Sequence, residues 1–308
     1  MTDLLETDDA LDYPEPEFDF TAPLTPSGNL RRRQLVNRMA ESGATGAAVV
    51  AIIVLGILVF AVIQRGGAAI SFAFLTQDPP ALGGAGGGIA PSIVGTGIIV
   101  GLATVIAAPV GILVAIYLTE FAGPRSAGPI RLALDLLNGL PSIVIGLFVF
   151  GLLVVGHGQS GFAASFALSI IMIPLVARSA QEMLLQVPTH MRDAADALGV
   201  SRWRSIIGIV LPAARSGIVT GVILAIARAS GETAPLIFLS SIAPAGLHIN
   251  PFGHALANIP VSIFTLSEAA DPAGYERAWG AALVLLTFIL LTNIAARALL
   301  ARSQRASR

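Results

Sequence analysis

The sequence contains no cysteine, no lysine and few charged residues of either sign. Without cysteine the chain has no disulfide, iron–sulfur cluster or thiolate zinc site. Without lysine it has no Walker A loop, whose lysine reaches the nucleotide phosphates, and no Schiff-base chemistry. Charged residues make up only 12% of the 308 positions, about half of the roughly 25% typical of soluble domains. These absences argue against a water-soluble enzyme and exclude a P-loop ATPase site in this chain.

Apolar residues are abundant instead, and they come in blocks. They make up 55% of the sequence, and the mean hydropathy is +0.80. Each block approaches or exceeds the roughly 20 residues that a helix needs to cross a bilayer. The pattern predicts an all-helical integral membrane protein with six transmembrane helices, at 44–63, 92–118, 131–155, 162–180, 214–239 and 278–299.

Arginine is distributed unevenly among the predicted loops, and this predicts the orientation of the chain. Only Arg65 and Arg277 fall on one side of the membrane, and Arg228 falls inside a span. The other side holds Arg31, Arg32, Arg33, Arg38, Arg125, Arg131, Arg178, Arg192, Arg202, Arg204, Arg215, Arg297, Arg302, Arg305 and Arg308. By the positive-inside rule, that side and both termini are cytoplasmic.

The ends of the chain differ in composition from the apolar blocks. Eight acidic residues lie within the first nineteen positions, and several prolines follow among residues 14–26. Such a segment cannot bury enough apolar surface to fold, so we expect residues 1–43 to be a disordered cytoplasmic tail. The transmembrane domain is then 44–301, with a long cytoplasmic loop at 181–213, and 302–308 is a cytoplasmic C-terminus.

The 181–213 loop contains a predicted amphipathic helix. Thr189 is placed as its N-cap and Gly199 just past its end. An apolar stripe at helical spacing is formed by Met191, Ala194, Ala195 and Leu198. Ser201 can begin a second helix, which Pro212 is expected to separate from the fifth span. A helix lying on the membrane surface is the simplest interpretation of this pattern alone.

The spacing within the loop is more specific than the stripe. It resembles the EAA motif (E-A-A-x3-G-x9-I-x-L-P) of the membrane subunits of ABC importers. The matching positions are Asp193, Ala194, Ala195, Gly199, Ile209, Leu211 and Pro212, with Asp193 in place of the usual glutamate. The resemblance implies that this segment is a coupling helix that sits in a groove of a separate ATPase subunit.

The fifth predicted span carries a charged pair. Arg228 lies at its middle, and Glu232 follows at i+4, on the same face of a continuous helix. Ionisable residues at this depth are costly and mark functional sites by default. A guanidinium binds a tetrahedral oxyanion through paired hydrogen bonds, and a carboxylate accepts a hydrogen bond from the protonated oxygen that phosphate has and sulfate lacks. Mutual neutralisation, another anion and a proton relay remain alternatives at this point.

Two glycine pairs four residues apart predict close helix packing in the membrane. The first is Gly97 with Gly101, and the second is Gly217 with Gly221.

The segment around the charged pair, 227–235, resembles the ARAxGETAP segment of PstA-type permeases of phosphate ABC importers. Residues 88–96 and 140–147 are similar to that family as well. The resemblance implies a MetI-like type I ABC importer permease in the bacterial plasma membrane. The predicted substrate pathway comprises Arg228, Ser230, Glu232 and Thr233.

The implied partners are a PstC-type permease, a PstB-type ATPase dimer and an external PstS-type phosphate-binding protein. No cofactor, metal or nucleic acid is expected to bind this chain, and it is not expected to be an enzyme. The PstC-type partner itself and a permease for another oxyanion are alternative identities. An ion-coupled secondary transporter is a further alternative, which would need no ATPase.

Overall fold

The computed structural model describes residues 29–80, 86–268 and 271–306, and this part of the chain is helical without any β-strand. The chain divides into two compact units, Met1–Ile57 and Leu58–Arg308. The helices are α1 (Leu30–Gly66), α2 (Phe72–Thr76), α3 (Ala90–Ile116), α4 (Pro124–Gly139), α5 (Ser142–Val149), α6 (Gly161–Leu185), α7 (Thr189–Ala197), α8 (Arg202–Ser205), α9 (Leu211–Ala229), α10 (Ala234–Leu239), α11 (Ile259–Glu268) and α12 (Pro272–Ala306).

The first unit consists, in its described part, of the N-terminal portion of α1. Its apolar side chains are exposed, including Val50, Ile52 and Leu55, which suits a helix surface covered by lipid. The expected disordered tail at 1–43 is wrong for residues 30–43, because α1 already begins at Leu30. No proline interrupts this stretch, so the helix can extend beyond its apolar block. Residues 1–28 of the predicted tail lie outside the described residues, as do 307–308 of the predicted C-terminus.

Five helical stretches in the described chain are long and apolar enough to cross a membrane, and a bent pair makes a sixth if it counts as one span. The bent pair replaces the straight span expected at 131–155. Its parts, α4 and α5 with the following turn to Val154, meet at 97°. Leu140 and Pro141 are both extended at the corner, because proline lacks an N–H and disfavours helical geometry in the residue before it.

The expected continuous span at 214–239 is wrong as well, since α9 ends at Ala229 and α10 begins at Ala234. Between them the chain forms tight turns, in which the Gly231 N–H donates to Arg228 O at 3.1 Å. Pro235 has no N–H to donate to the preceding turn, and Gly231 favours irregular backbone. The break places Glu232 beyond the end of α9.

The core of the second unit is built from small side chains on α3 and α6. Ala103, Ala107, Ala164 and Ala167 are fully buried there, which allows the two helices to approach closely, as is common in membranes. The larger side chains of Leu168 and Met172 fill the remaining space.

One of the two predicted glycine contacts is confirmed. A Cβ atom on Gly221 would overlap Ser179 Oγ, and one on Gly217 would overlap Met183 Sδ, so both glycines bring α9 against α6. Gly97 and Gly101 face open space with no atom within 4 Å. This pair therefore brings no helix of the described chain into close contact: spacing alone does not identify which side of a helix has a neighbour.

Candidate functional site

A cavity of about 240 Å³ lies between the α4–α5 corner and the break after α9. Its volume is below the roughly 300–1,000 Å³ of pockets for drug-sized ligands, so it suits an ion or another small solute. Its lining residues are Leu137, Asn138, Leu140, Pro141, Ser142, Ile145, Ile171, Leu175, Arg228 and Glu232.

Four polar side chains converge on this cavity: Asn138, Ser142, Arg228 and Glu232. None of the four side chains forms a hydrogen bond or ion pair with another of the described residues. Buried or membrane-embedded polar groups ordinarily find partners, because an unmade hydrogen bond in such surroundings is costly. The cavity therefore offers four hydrogen-bonding groups to whatever enters it.

The corner and the break explain how these side chains come together. Asn138 lies in the last turn of α4, and Ser142 begins α5 immediately after the Pro141 turn. Arg228 lies in the last turn of α9, whereas Glu232 lies in the irregular segment that follows. The expectation of an i, i+4 pair on one helix face is wrong, because the helix ends between the two residues. Both nevertheless line the same cavity.

Arg228 is exposed and Glu232 half-buried. The open side of the cavity is thus available to solvent or to a neighbouring protein surface, which is how intramembrane arginines are usually accommodated.

The structure separates the other two predicted pathway residues from this cavity. Ser230 is only 1% exposed, and its hydroxyl donates to the backbone oxygen of Ile226 at 2.7 Å. Thr233 is half-buried in the segment before α10 and is not among the lining residues. Asn138 and Ser142 take their place as polar lining residues. Sequence analysis missed them, although two polar residues flanking a proline inside an apolar block were a usable signal.

The polar side chains of the cavity include both hydrogen-bond donors and acceptors. Arg228 and Asn138 supply N–H donors, Ser142 supplies a hydroxyl that can donate or accept, and Glu232 supplies a carboxylate acceptor. A guanidinium with a neutral amide and hydroxyl can surround several oxygens of a tetrahedral anion. The carboxylate repels an anion unless that anion carries a proton to donate.

The predicted amphipathic helix of the cytoplasmic loop is present as α7, and Gly199 follows it with φ +70°. A left-handed residue just past a helix end is where glycine is favoured. The start of the helix differs from the expectation by one residue, since Pro188, rather than Thr189, is the N-cap.

The apolar stripe of α7 does not form a single surface. Ala195 is 2% exposed, and Met191 packs against the cluster formed by Ile116 of α3, Leu184 of α6 and Ile218 of α9. Leu198 is 82% exposed, and Asp193 and Ala194 are exposed as well. The methyl group of Ala195 is therefore buried within this chain, and the coupling role that the resemblance implies for the segment stays a prediction.

The second part of the motif continues directly into the membrane helix. Ser201 precedes α8 as expected, but Pro212 does not separate this helix from α9, since the chain is helical from Arg202 to Ala229. A wide turn at Ile206–Val210, in which the Leu211 N–H donates to Ile206 O, comes immediately before Pro212. Such a turn accommodates the missing N–H of proline without breaking the helix. Ile209 and Leu211 are half-buried.

Comparison with known proteins extends these observations over most of the chain. The model of the family described as "Binding-protein-dependent transport system inner membrane component" matches residues 107–305. The phosphate transport system permease protein PstA 1 of Mycobacterium tuberculosis H37Rv is 38% identical over 296 residues, covering 94% of this chain and 93% of that protein. The PstA proteins of Yersinia pestis and Haemophilus influenzae Rd are 39% and 41% identical, covering 80% and 78% of this chain and 84% and 85% of theirs. These relatives confirm the resemblance seen in the sequence motifs.

Solved structures confirm the predicted fold class. A bacterial ABC transporter involved in the import of the acidic polysaccharide alginate has a chain that matches with a TM-score of 0.56 at 17% identity, over 86% of this chain and 98% of that one. An inward-facing MetNI methionine ABC transporter matches with a TM-score of 0.52 at 18% identity, over 68% and 94%. At this identity the likeness concerns the fold alone, which is that of a MetI-like permease.

Proposed function

Because the chain belongs to the family of inner membrane components of binding-protein-dependent transport systems, we propose that it is the PstA-type permease subunit of an ATP-driven importer of inorganic phosphate. The relatives named for phosphate transport cover three quarters or more of both chains at 38–41% identity. These relatives are named PstA, which supports the PstA-type identity over the PstC-type alternative.

The cavity lined by Arg228 is the observation that carries the proposal. It presents donors to an oxyanion and one carboxylate to a protonated oxygen, and phosphate near neutral pH satisfies both. Sulfate has no O–H group that could donate a hydrogen bond to Glu232. The unpartnered polar groups are retained in the membrane because a passing anion forms hydrogen bonds with them.

The energy for transport comes, in this proposal, from a separate protein. A chain without lysine has no Walker A loop, so a PstB-type ATPase dimer binds the exposed side of α7, where Asp193, Ala194 and Leu198 lie. A PstC-type permease completes the translocation pathway beside the exposed Arg228, and an external PstS-type protein delivers phosphate. Both termini and the 181–213 loop are on the cytoplasmic side of a bacterial plasma membrane.

The test is phosphate uptake by cells or proteoliposomes that carry the complete importer with Arg228→Gln. We expect uptake to fall to background with assembly unchanged, because glutamine keeps a polar side chain but removes the positive charge. Arg215→Gln is the matched control, since Arg215 is another exposed arginine of α9 that does not line the cavity.

Unchanged phosphate uptake by the assembled Arg228→Gln importer would refute the pathway assignment. Uptake by this chain alone, in vesicles with an ion gradient and no ATPase, would instead identify a secondary transporter.

A further inference from the structure

The side chain of Arg192, on α7, binds the cytoplasmic ends of two membrane helices. Its Nη1 donates to Val187 O at 2.6 Å and its Nη2 to Leu184 O at 2.8 Å. Leu184 lies in the last turn of α6, and its carbonyl oxygen also accepts a hydrogen bond from the Val187 N–H at 3.3 Å. Nε and Nη2 also donate to Glu120 Oε1, at 3.2 and 3.0 Å.

Glu120 belongs to the wide turn Tyr117–Phe121 that ends α3. The residue is only 6% exposed, and the side chain of Arg192 is 23% exposed. Arg192 is the cation that pairs with Glu120 among the described residues. A charge pair so removed from water is held in one geometry, because separating its members leaves a buried charge without compensation.

The nonpolar surroundings reinforce the same connection. Met191 of α7 packs against a cluster that contains Ile116 of α3, Leu184 of α6 and Ile206 of the turn that leads into α9. Ala195 of α7 is buried as well, while Asp193 and Leu198 of the same helix are exposed.

We propose that Arg192 is a positioning residue that transmits movement of α7 to α3 and α6 through its bonds to Glu120 and Leu184 O. The inference rests on the proposed function in that α7 is moved by a nucleotide-driven partner. A guanidinium suits this role because its rigid fork binds a carboxylate and two carbonyl oxygens from separate nitrogen atoms, whereas the three N–H donors of lysine lie on one atom at the end of a flexible chain.

The experiment measures phosphate imported per ATP hydrolysed in proteoliposomes that contain the complete importer, at equal amounts of assembled complex. The variants are Arg192→Met, which removes the charge, and Arg192→Lys, which keeps the charge next to Glu120 but loses the fork. Arg204→Met is the control, because Arg204 is an exposed arginine of the same loop without a partner among the described residues.

We expect the ratio of phosphate to ATP to fall at least about fivefold with methionine, the lower end of a typical coupling energy between two sites. Lysine should give an intermediate ratio, and the control should match the wild type. A residue that is only structural would lower the amount of assembled complex and leave the ratio unchanged.

An unchanged ratio in either assembled Arg192 variant overturns the inference. Loss of assembly in both variants overturns it too, since Arg192 would then be needed for folding rather than for transmission. If only the methionine variant fails to assemble, the lysine ratio decides. The wild-type importer tests the proposed function separately: absence of ATP-dependent phosphate uptake there refutes the function and not the role of Arg192.

Discussion

Replacing Asn138 with leucine removes a neutral hydrogen-bonding side chain from the cavity and keeps a side chain of similar size. Asn138 lines the cavity with Arg228 and forms no hydrogen bond with other described residues. The substitution should therefore leave the packing of α4 intact, because it breaks no hydrogen bond within the described chain. Its effect should appear only when an anion is bound.

The size of the effect follows from the bond that is lost. A hydrogen bond between a neutral donor and a charged group contributes about 1.5–3 kcal/mol. Since each 1.4 kcal/mol changes an equilibrium constant about tenfold, phosphate binding should weaken by about 10- to 150-fold. Ser142→Ala removes the second neutral group and should weaken binding by a similar factor.

The assay is equilibrium binding of labelled phosphate to the purified importer without its external binding protein, so that the affinity of that protein does not mask the cavity. Asn293→Leu is the matched control, because Asn293 lies on α12 and does not line the cavity. If Asn138→Leu and Ser142→Ala both bind phosphate as tightly as the wild type, the cavity is not the anion site.

Three further predictions concern discrimination, packing and orientation. Glu232→Gln should allow sulfate to be transported alongside phosphate, because an amide can donate a hydrogen bond to an unprotonated oxygen. Uptake of labelled phosphate in competition with sulfate measures this change. Continued exclusion of sulfate would contradict the role of Glu232. Gly95→Ala should lower the free energy of unfolding by about 1–3 kcal/mol, as overpacking does, since the added Cβ would overlap Ala257 O. Gly97→Ala is the control on the same helix, because its Cβ would meet no atom of the described chain within 4 Å and should leave the stability unchanged. Thermal unfolding of the detergent-solubilised chain compares the two, and equal melting temperatures would contradict the packing. The chain has no cysteine of its own, so single introduced cysteines report the orientation. Arg204→Cys should react with a membrane-impermeant maleimide only from the cytoplasmic side, and His157→Cys only from outside. The reverse pattern would show that the chain has the opposite orientation.

The membrane helices could largely be predicted from the sequence, because each one needs a long apolar block to be stable in lipid. Blocks at 92–118, 162–180 and 278–299 correspond to α3, α6 and α12. The corner at Pro141 could not be placed in the same way. The block at 131–155 is mostly apolar, and hydropathy does not report a change of direction.

The residues of the site also differ in whether the sequence alone can reveal them. Arg228 and Glu232 stand out because charge is rare inside an apolar block. Asn138 and Ser142 are ordinary residues whose importance comes from the corner that brings them to Arg228. The contact between Arg192 and Glu120 spans 72 positions of sequence, so no local pattern indicates it.

Helix α6 joins the cavity to the 181–213 loop. Leu175 lines the cavity and Leu184 accepts a hydrogen bond from Arg192, and both belong to one continuous helix. Nine residues separate them, which is about 14 Å along a helix that rises about 1.5 Å per residue. A movement of α7 that carries Arg192 must therefore displace the end of α6, or break its bond to Leu184 O. α6 packs tightly on α3, whose end is followed by the turn that holds Glu120, so the proposed transmission through Arg192 displaces the two helices together. Ile171 and Leu175 of α6 line the cavity. In the proposed mechanism the cavity therefore changes shape without any direct contact between it and the exposed surface of α7.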